Sequence, residues 1–151
     1  MNTTIDKFSG PYLSLTEKIN LLQPVALLAA RVYVAWVFFM SGLTKIRDWE
    51  TTLFLFEEEY SVPLLNYELA TWLSTAGELV LPILLVLGLA ARFSALGLSI
   101  VNIVAVLSLE EIAPAAYTLH IVWGLLLAQV VLWGAGYLSV DSKLQSGFVK
   151  K

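Results

Sequence analysis

The chain has no cysteine. That excludes disulfides, iron–sulfur clusters and thiol redox chemistry supplied by the chain itself. It has one histidine, His120, so one copy cannot hold a haem between two imidazoles or build a metal site from several His and Cys. Charge is sparse as well: 14% of the residues are charged and the net charge is −3, so the placement of each charge carries more information than the sum. No nucleic-acid partner is expected.

What the chain has in abundance is apolar residues. It is 58% hydrophobic over 151 residues with a mean hydropathy of +0.78. A soluble domain is roughly 45–50% apolar. The excess falls in four long runs, which predicts an all-α, polytopic membrane protein with a bundle of four transmembrane helices. Three segments are expected: 1–23, an N-terminal cytoplasmic or interfacial segment; 24–138, the transmembrane domain; and 139–151, a polar cytoplasmic tail.

The spans are expected at about Val25–Leu43, Leu69–Ala90, Phe93–Leu109 and Ala115–Tyr137. Pro24 suits a helix start. The first apolar run begins too late and is too long for a cleavable signal peptide. Ahead of it, Leu13, Leu15, Ile19 and Leu22 form a loose apolar stripe that reads as a short interfacial helix or as a plain tail. The longest loop starts at Asp48, a good N-cap. Trp49, Leu53, Phe56 and Tyr60 then recur at helical spacing, until Ser61-Val62-Pro63 stops the pattern. This predicts an amphipathic helix between spans one and two, lying on the membrane surface or packed on the bundle rim. Basic residues gather on the side of the two termini: Lys7, Lys18, Arg92, Lys143, Lys150 and Lys151, against Lys45 and Arg47 opposite. The positive-inside rule then places both termini in the cytoplasm.

Each span carries polar residues that lipid would reject. Arg31, Ala35, Phe38, Gly42 and Lys45 share one face of the first helix. Thr71, Thr75, Glu78 and Pro82 share one face of the second, and Pro82 leaves the Glu78 carbonyl without its helical donor. Asn102 sits in the third span. His120 and Gln129 lie on opposite sides of the fourth, and His120 is assigned to the interior because Gly124 and Leu127 continue its face. Straight-helix counting puts Arg31 at roughly 10 Å, Asn102 at roughly 14 Å, Glu78 at roughly 18 Å, His120 at roughly 25 Å and Lys45 at roughly 31 Å from the terminal side. Arg31 and Glu78 are therefore expected to pair, and Lys45 to snorkel to the outer surface. The candidate ligand- or proton-handling residues are Arg31, Lys45, Glu78, Asn102 and His120. The same column also reads as a device that fixes helix register.

Arg31, Phe38, Gly42 and Lys45, in the pattern R-x₆-F-x₃-G-x₂-K, resemble the first helix of the DoxX family. So do the loop ending in Val62-Pro63, the Gly77-Glu78 pair and the turn Gly88-Leu89-Ala90-Ala91-Arg92. The resemblance covers about residues 25–135, with Ser61 standing where that family usually has Gly. It implies a four-helix protein of the prokaryotic cytoplasmic membrane. The namesake branch is associated with a thiosulfate:quinone oxidoreductase, and other members with membrane-bound redox or stress-response complexes.

The leading expectation is therefore a membrane subunit of an oxidoreductase system that contacts quinone or anchors a soluble redox partner. Arg31 or His120 would donate to the ring oxygens and Glu78 would accept a proton. The chain encodes no redox centre, so electrons would come from that partner. The alternatives are a small transporter or lipid-handling protein built on the same column, and an assembly scaffold with no ligand. The expected surroundings are the lipid bilayer, a redox partner protein and further copies of the chain.

Overall fold

A computed structural model describes residues 13–148. Among them there are seven helices and no strand. Helix α1 covers 13–20, and a break at Leu21 and Leu22 leads into α2, Gln23–Arg47. Then follow α3 (Trp49–Glu58), α4 (Tyr67–Leu87), α5 (Ala91–Leu107), α6 (Pro114–Trp133) and α7 (Val140–Phe148). Helix α2 lies between α4 and α6, and α5 closes the bundle between the same two. The four long helices run up and down: Arg31 meets Leu85, Asn102 meets His120, and Arg92 meets Leu132. Among the described residues three stretches are long and apolar enough to cross a membrane, Leu13–Arg47, Tyr67–Leu87 and Pro114–Trp133. Helix α5 has 17 residues, about the lower limit for a span.

The buried faces are the predicted ones. On α2 the buried residues include Arg31, Ala35, Phe38 and Gly42; on α4 they include Thr71, Thr75, Glu78 and Pro82. The core is built from Val34, Ala35, Phe38, Leu85, Ala91, Ala95, Leu98, Leu127 and Val130. Its alanines let helix backbones approach closely, the usual means of association where lipid supplies no hydrophobic drive. The outward faces are apolar and exposed, as on Trp36, Phe93, Ile100 and Leu125. Water would not tolerate so much apolar surface, and a bilayer would.

The connections have local causes. Asp48 caps α3 by accepting from the Thr51 amide at 3.1 Å, and hydrogen bonding from the Thr51 side chain, then from this amide, holds its carboxyl below the usual range. Helix α3 packs on α4 and on the end of α2, burying Thr52 and Phe56, with the Trp49 and Trp72 rings 4.4 Å apart. Asn66 caps α4 through the Leu69 amide at 2.8 Å. Helix α4 ends at Leu87 because Gly88 turns left-handed (φ 67°), and Leu89 closes the turn onto the Leu84 carbonyl. Helix α6 stops at Trp133, four residues earlier than expected, because Gly134 takes a positive φ of 80°. The expected polar tail carries a helix, α7. In α1 the predicted stripe of Leu13, Leu15 and Ile19 is helical and exposed; residues 1–12 lie outside the described part.

Reporter fusions at residue 60 and after residue 148 should report opposite sides of the membrane, the outcome expected when all four long helices cross and the α3 loop lies across from both termini. Reports from the same side would remove one crossing, with α5 the first candidate.

Candidate functional site

The five residues expected to form one column divide into two groups. Arg31 lies at the end of the bundle near the termini, fully buried. It is not paired with Glu78. Its Nη1 donates to the Leu85 carbonyl at 3.4 Å, its Nη2 donates to the Leu138 carbonyl, and Asp141 supplies the opposing charge. The register explains the correction. Leu85 lies seven residues beyond Glu78, about 10 Å along the axis, and the carbonyls at the end of α4 carry the negative end of its dipole. Arg31 therefore has acceptors closer than the glutamate.

Asp141 completes this clamp. Its two carboxylate oxygens accept from the amides of Ala90 and Ala91 at 2.8 Å each, while its own amide donates to the Gly88 carbonyl at 2.9 Å. Ala90 holds a left-handed backbone (φ 47°), unusual for a residue with a Cβ, and the aspartate secures it. Gly88 is required twice over. Its φ is positive, and a Cβ there would collide with the Arg31 guanidinium and with Ser139. A cleft of about 720 Å³ opens beside the clamp, lined in part by Arg92, Trp133 and Asp141. The aspartate oxygens there are taken by the turn, and Arg92 donates to the Leu132 carbonyl at 3.4 Å.

The second group lies at the other end of the bundle. Lys45 Nζ is 2.6 Å from Glu78 Oε1, and both side chains are mostly buried. Lys45 therefore does not snorkel outward. A helical side chain leans toward its own N-terminus, which for Lys45 is back into the bundle. Gly42, one turn earlier, allows the approach: a Cβ there would lie 3.0 Å from the Leu79 side chain and 3.1 Å from Glu78 Cβ. The ammonium also lies over the Phe56 ring, 5.7 Å from its centroid. Among the described residues, Glu78 Oε2 is buried with no hydrogen-bond partner, and so is Thr75 Oγ1.

His120 faces inward, as expected, and Gln129 is half-buried on the far side. His120 Nδ1 is 2.8 Å from Asn102 Oδ1, and Asn102 Nδ2 donates to the His120 carbonyl at 2.9 Å. The amide of α5 thus grips ring and backbone of the same residue on α6. Trp123 stacks edge-on against both His120 and Phe38.

Lys45, Glu78 and His120 line one cavity of about 490 Å³. Its walls are mainly apolar, from Phe38, Val101 and Trp123 among others, and Tyr60 joins from the loop after α3. Burial, then the charges of Glu59 and Glu78, push the Tyr60 phenol up, so it stays protonated. The size lies within the roughly 300–1,000 Å³ of small-molecule sites, and apolar walls with few polar groups are their usual composition. No cluster of three or more His, Cys, Asp or Glu that suits a metal occurs among the described residues. Tyr60 and Asp141 escaped the sequence reading. Tyr60 reads from spacing as part of a stripe on the membrane surface or the bundle rim, with no sign of a cavity, and nothing local to Asp141 marks its contact with a turn fifty residues away.

Fold and site define a multi-pass helical membrane protein with a charged pair inside the bundle. The chain belongs to the DoxX family, whose model matches residues 26–111. It is 31% identical over 136 residues to an uncharacterized protein of Haemophilus influenzae, covering 84% of this chain and 88% of the relative. No solved structure matches.

Asp141→Ala should lower stability by about 2 kcal/mol, since it removes the anchor of a strained turn and a counter-charge together. Gly88→Ala should cost more, because strain and collision add. Unfolding by denaturing detergent measures both; unchanged stability of either would contradict the clamp.

Proposed function

We propose that this protein is a membrane subunit of an oxidoreductase system and that its cavity, which opens to the bundle surface, receives the head group of a lipid-soluble ring compound of the quinone class. The observation that carries this reading is the cavity itself: about 490 Å³ of mainly apolar space with Lys45, Glu78, His120 and Tyr60 in its wall. An apolar ring fits the walls. Ring oxygens need a few fixed polar partners, and the cavity has those. Lys45 and Tyr60 can donate hydrogen bonds, and Glu78 can accept one. The family is consistent with such a role through its redox-associated branch.

The chain's own share in such a system is binding, orientation and proton handling. The single histidine and absent cysteine leave electron transfer to a partner protein. Glu78 has one carboxylate oxygen occupied by Lys45 and one without a partner among the described residues, so a proton taken up there would neutralise the carboxylate while the hydrogen bond from Lys45 to the other oxygen remains. The clamp at Arg31 has a separate, positioning role: it fixes the end of α2 against α4 and so sets the register that brings Lys45 to Glu78.

Trp123 lines the cavity and provides the readout. In lipid nanodiscs, a short-chain benzoquinone should quench tryptophan fluorescence saturably, and Trp123→Phe should remove most of the saturable part. Quenching that rises linearly with concentration and is unaffected by Trp123→Phe would show partition into lipid with no site.

A further inference from the structure

The hydrogen bonds around the cavity determine which polar form of a ligand it can satisfy. The backbone carbonyl of His120 can only accept, so the Asn102 atom 2.9 Å from it is the amide nitrogen. The atom facing His120 Nδ1 is then the amide oxygen, which also only accepts. In the neutral imidazole one nitrogen carries the proton, and here Nδ1 must carry it. Nε2 is left bare. It takes no hydrogen bond among the described residues, on a ring that lines the cavity. His120 is therefore an acceptor toward a ligand.

The other polar groups lean the same way. Glu78 has an unspent carboxylate oxygen. Ser74 and Ser108 spend their hydroxyl protons on the carbonyls of Thr71 and Val104, at 3.1 and 2.6 Å, and keep only acceptor capacity. The donors left are the remaining Lys45 N–H groups and the hydroxyls of Tyr60 and Ser41. A ring carbonyl can take a bond from Lys45 or Tyr60 but has nothing to give to Glu78 or His120. A ring hydroxyl can accept from Lys45 and donate to Glu78 with the same oxygen. An unsatisfied acceptor buried against a ligand costs more than an average hydrogen bond yields, so this difference separates the two forms.

Resting on the reading that the cavity receives a ring compound, we infer that it is selective for the reduced, dihydroxy form, and that His120, locked by Asn102, is a specificity-determining acceptor. The preferred ligand is a quinol or another hydroxylated ring, and the quinone binds more weakly.

His120 is the single histidine, so ¹⁵N-histidine labelling reports this one ring. In nanodiscs without ligand, the spectrum should show a protonated Nδ1 and a bare Nε2. Titration then uses three probes of similar shape: a short-chain benzoquinol kept anaerobic, its quinone, and its bis-methyl ether, which cannot donate. The quinol should shift the Nε2 resonance and bind about 10- to 100-fold more tightly than either of the others, the range expected for one or two hydrogen bonds to strong acceptors. A protonated Nε2 in the free protein would overturn the inference. Equal binding of all three probes would overturn it while leaving the cavity a ligand site. Binding of none would remove the cavity reading and the inference with it.

Discussion

A bilayer interior offers no water to a charge, so every charge inside this protein has to be answered by another part of the protein. That requirement shapes both ends of the bundle. The pair between Lys45 and Glu78, 2.6 Å apart and largely sealed from solvent, is the interaction on which the rest depends. Taking two ions out of water costs several kcal/mol each, and only close geometry returns that cost. Gly42 supplies the close approach, α3 covers the pair with Phe56, and Arg31 holds α2 to the end of α4.

The two charged clusters differ in what they leave unspent. At the terminal end, Asp141 gives both oxygens to the turn between α4 and α5, and Arg31 is held by carbonyls. Little there remains to bind a ligand except the Arg31 Nε, which is buried without a partner among the described residues. At the other end, Glu78 and His120 each keep an acceptor free beside an apolar cavity. A structure that needed only rigidity would satisfy these groups internally, because a half-satisfied polar group in a core is a cost. Unspent acceptors beside an apolar cavity, against a lone unpartnered Nε at the terminal end, are what favour proposing structure at Arg31 and a ligand role at Lys45, Glu78 and His120.

Much of this was legible in the sequence. Since periodicity depends only on local geometry, helical spacing identified most of the buried faces of α2 and α4, though not Leu27, Val34, Ala70 or Leu85. The inward turn of His120 and the cap at Asp48 followed from the same kind of evidence. Pairing did not follow. Depth counting placed Arg31 nearer to Glu78 than Lys45 was, because it treats each side chain as level with its own Cα. Lys45 reaches back along its helix, and Arg31 finds carbonyls that no side-chain inventory counts. Asp141 was invisible for a further reason: its partners are backbone amides of a distant turn, and any residues there would offer the same amides.

The most direct test of this arrangement is a pair of double-mutant cycles on unfolding stability. Lys45→Met and Glu78→Gln should each cost about 3 kcal/mol, the lower end for breaking a buried pair, and the double variant should recover much of the loss. The cycle of Arg31→Met with Glu78→Gln should instead show much weaker coupling, because Arg31 acts on Glu78 only through the packing of α2 on α4. Strong coupling between Arg31 and Glu78, with additivity between Lys45 and Glu78, would contradict the account.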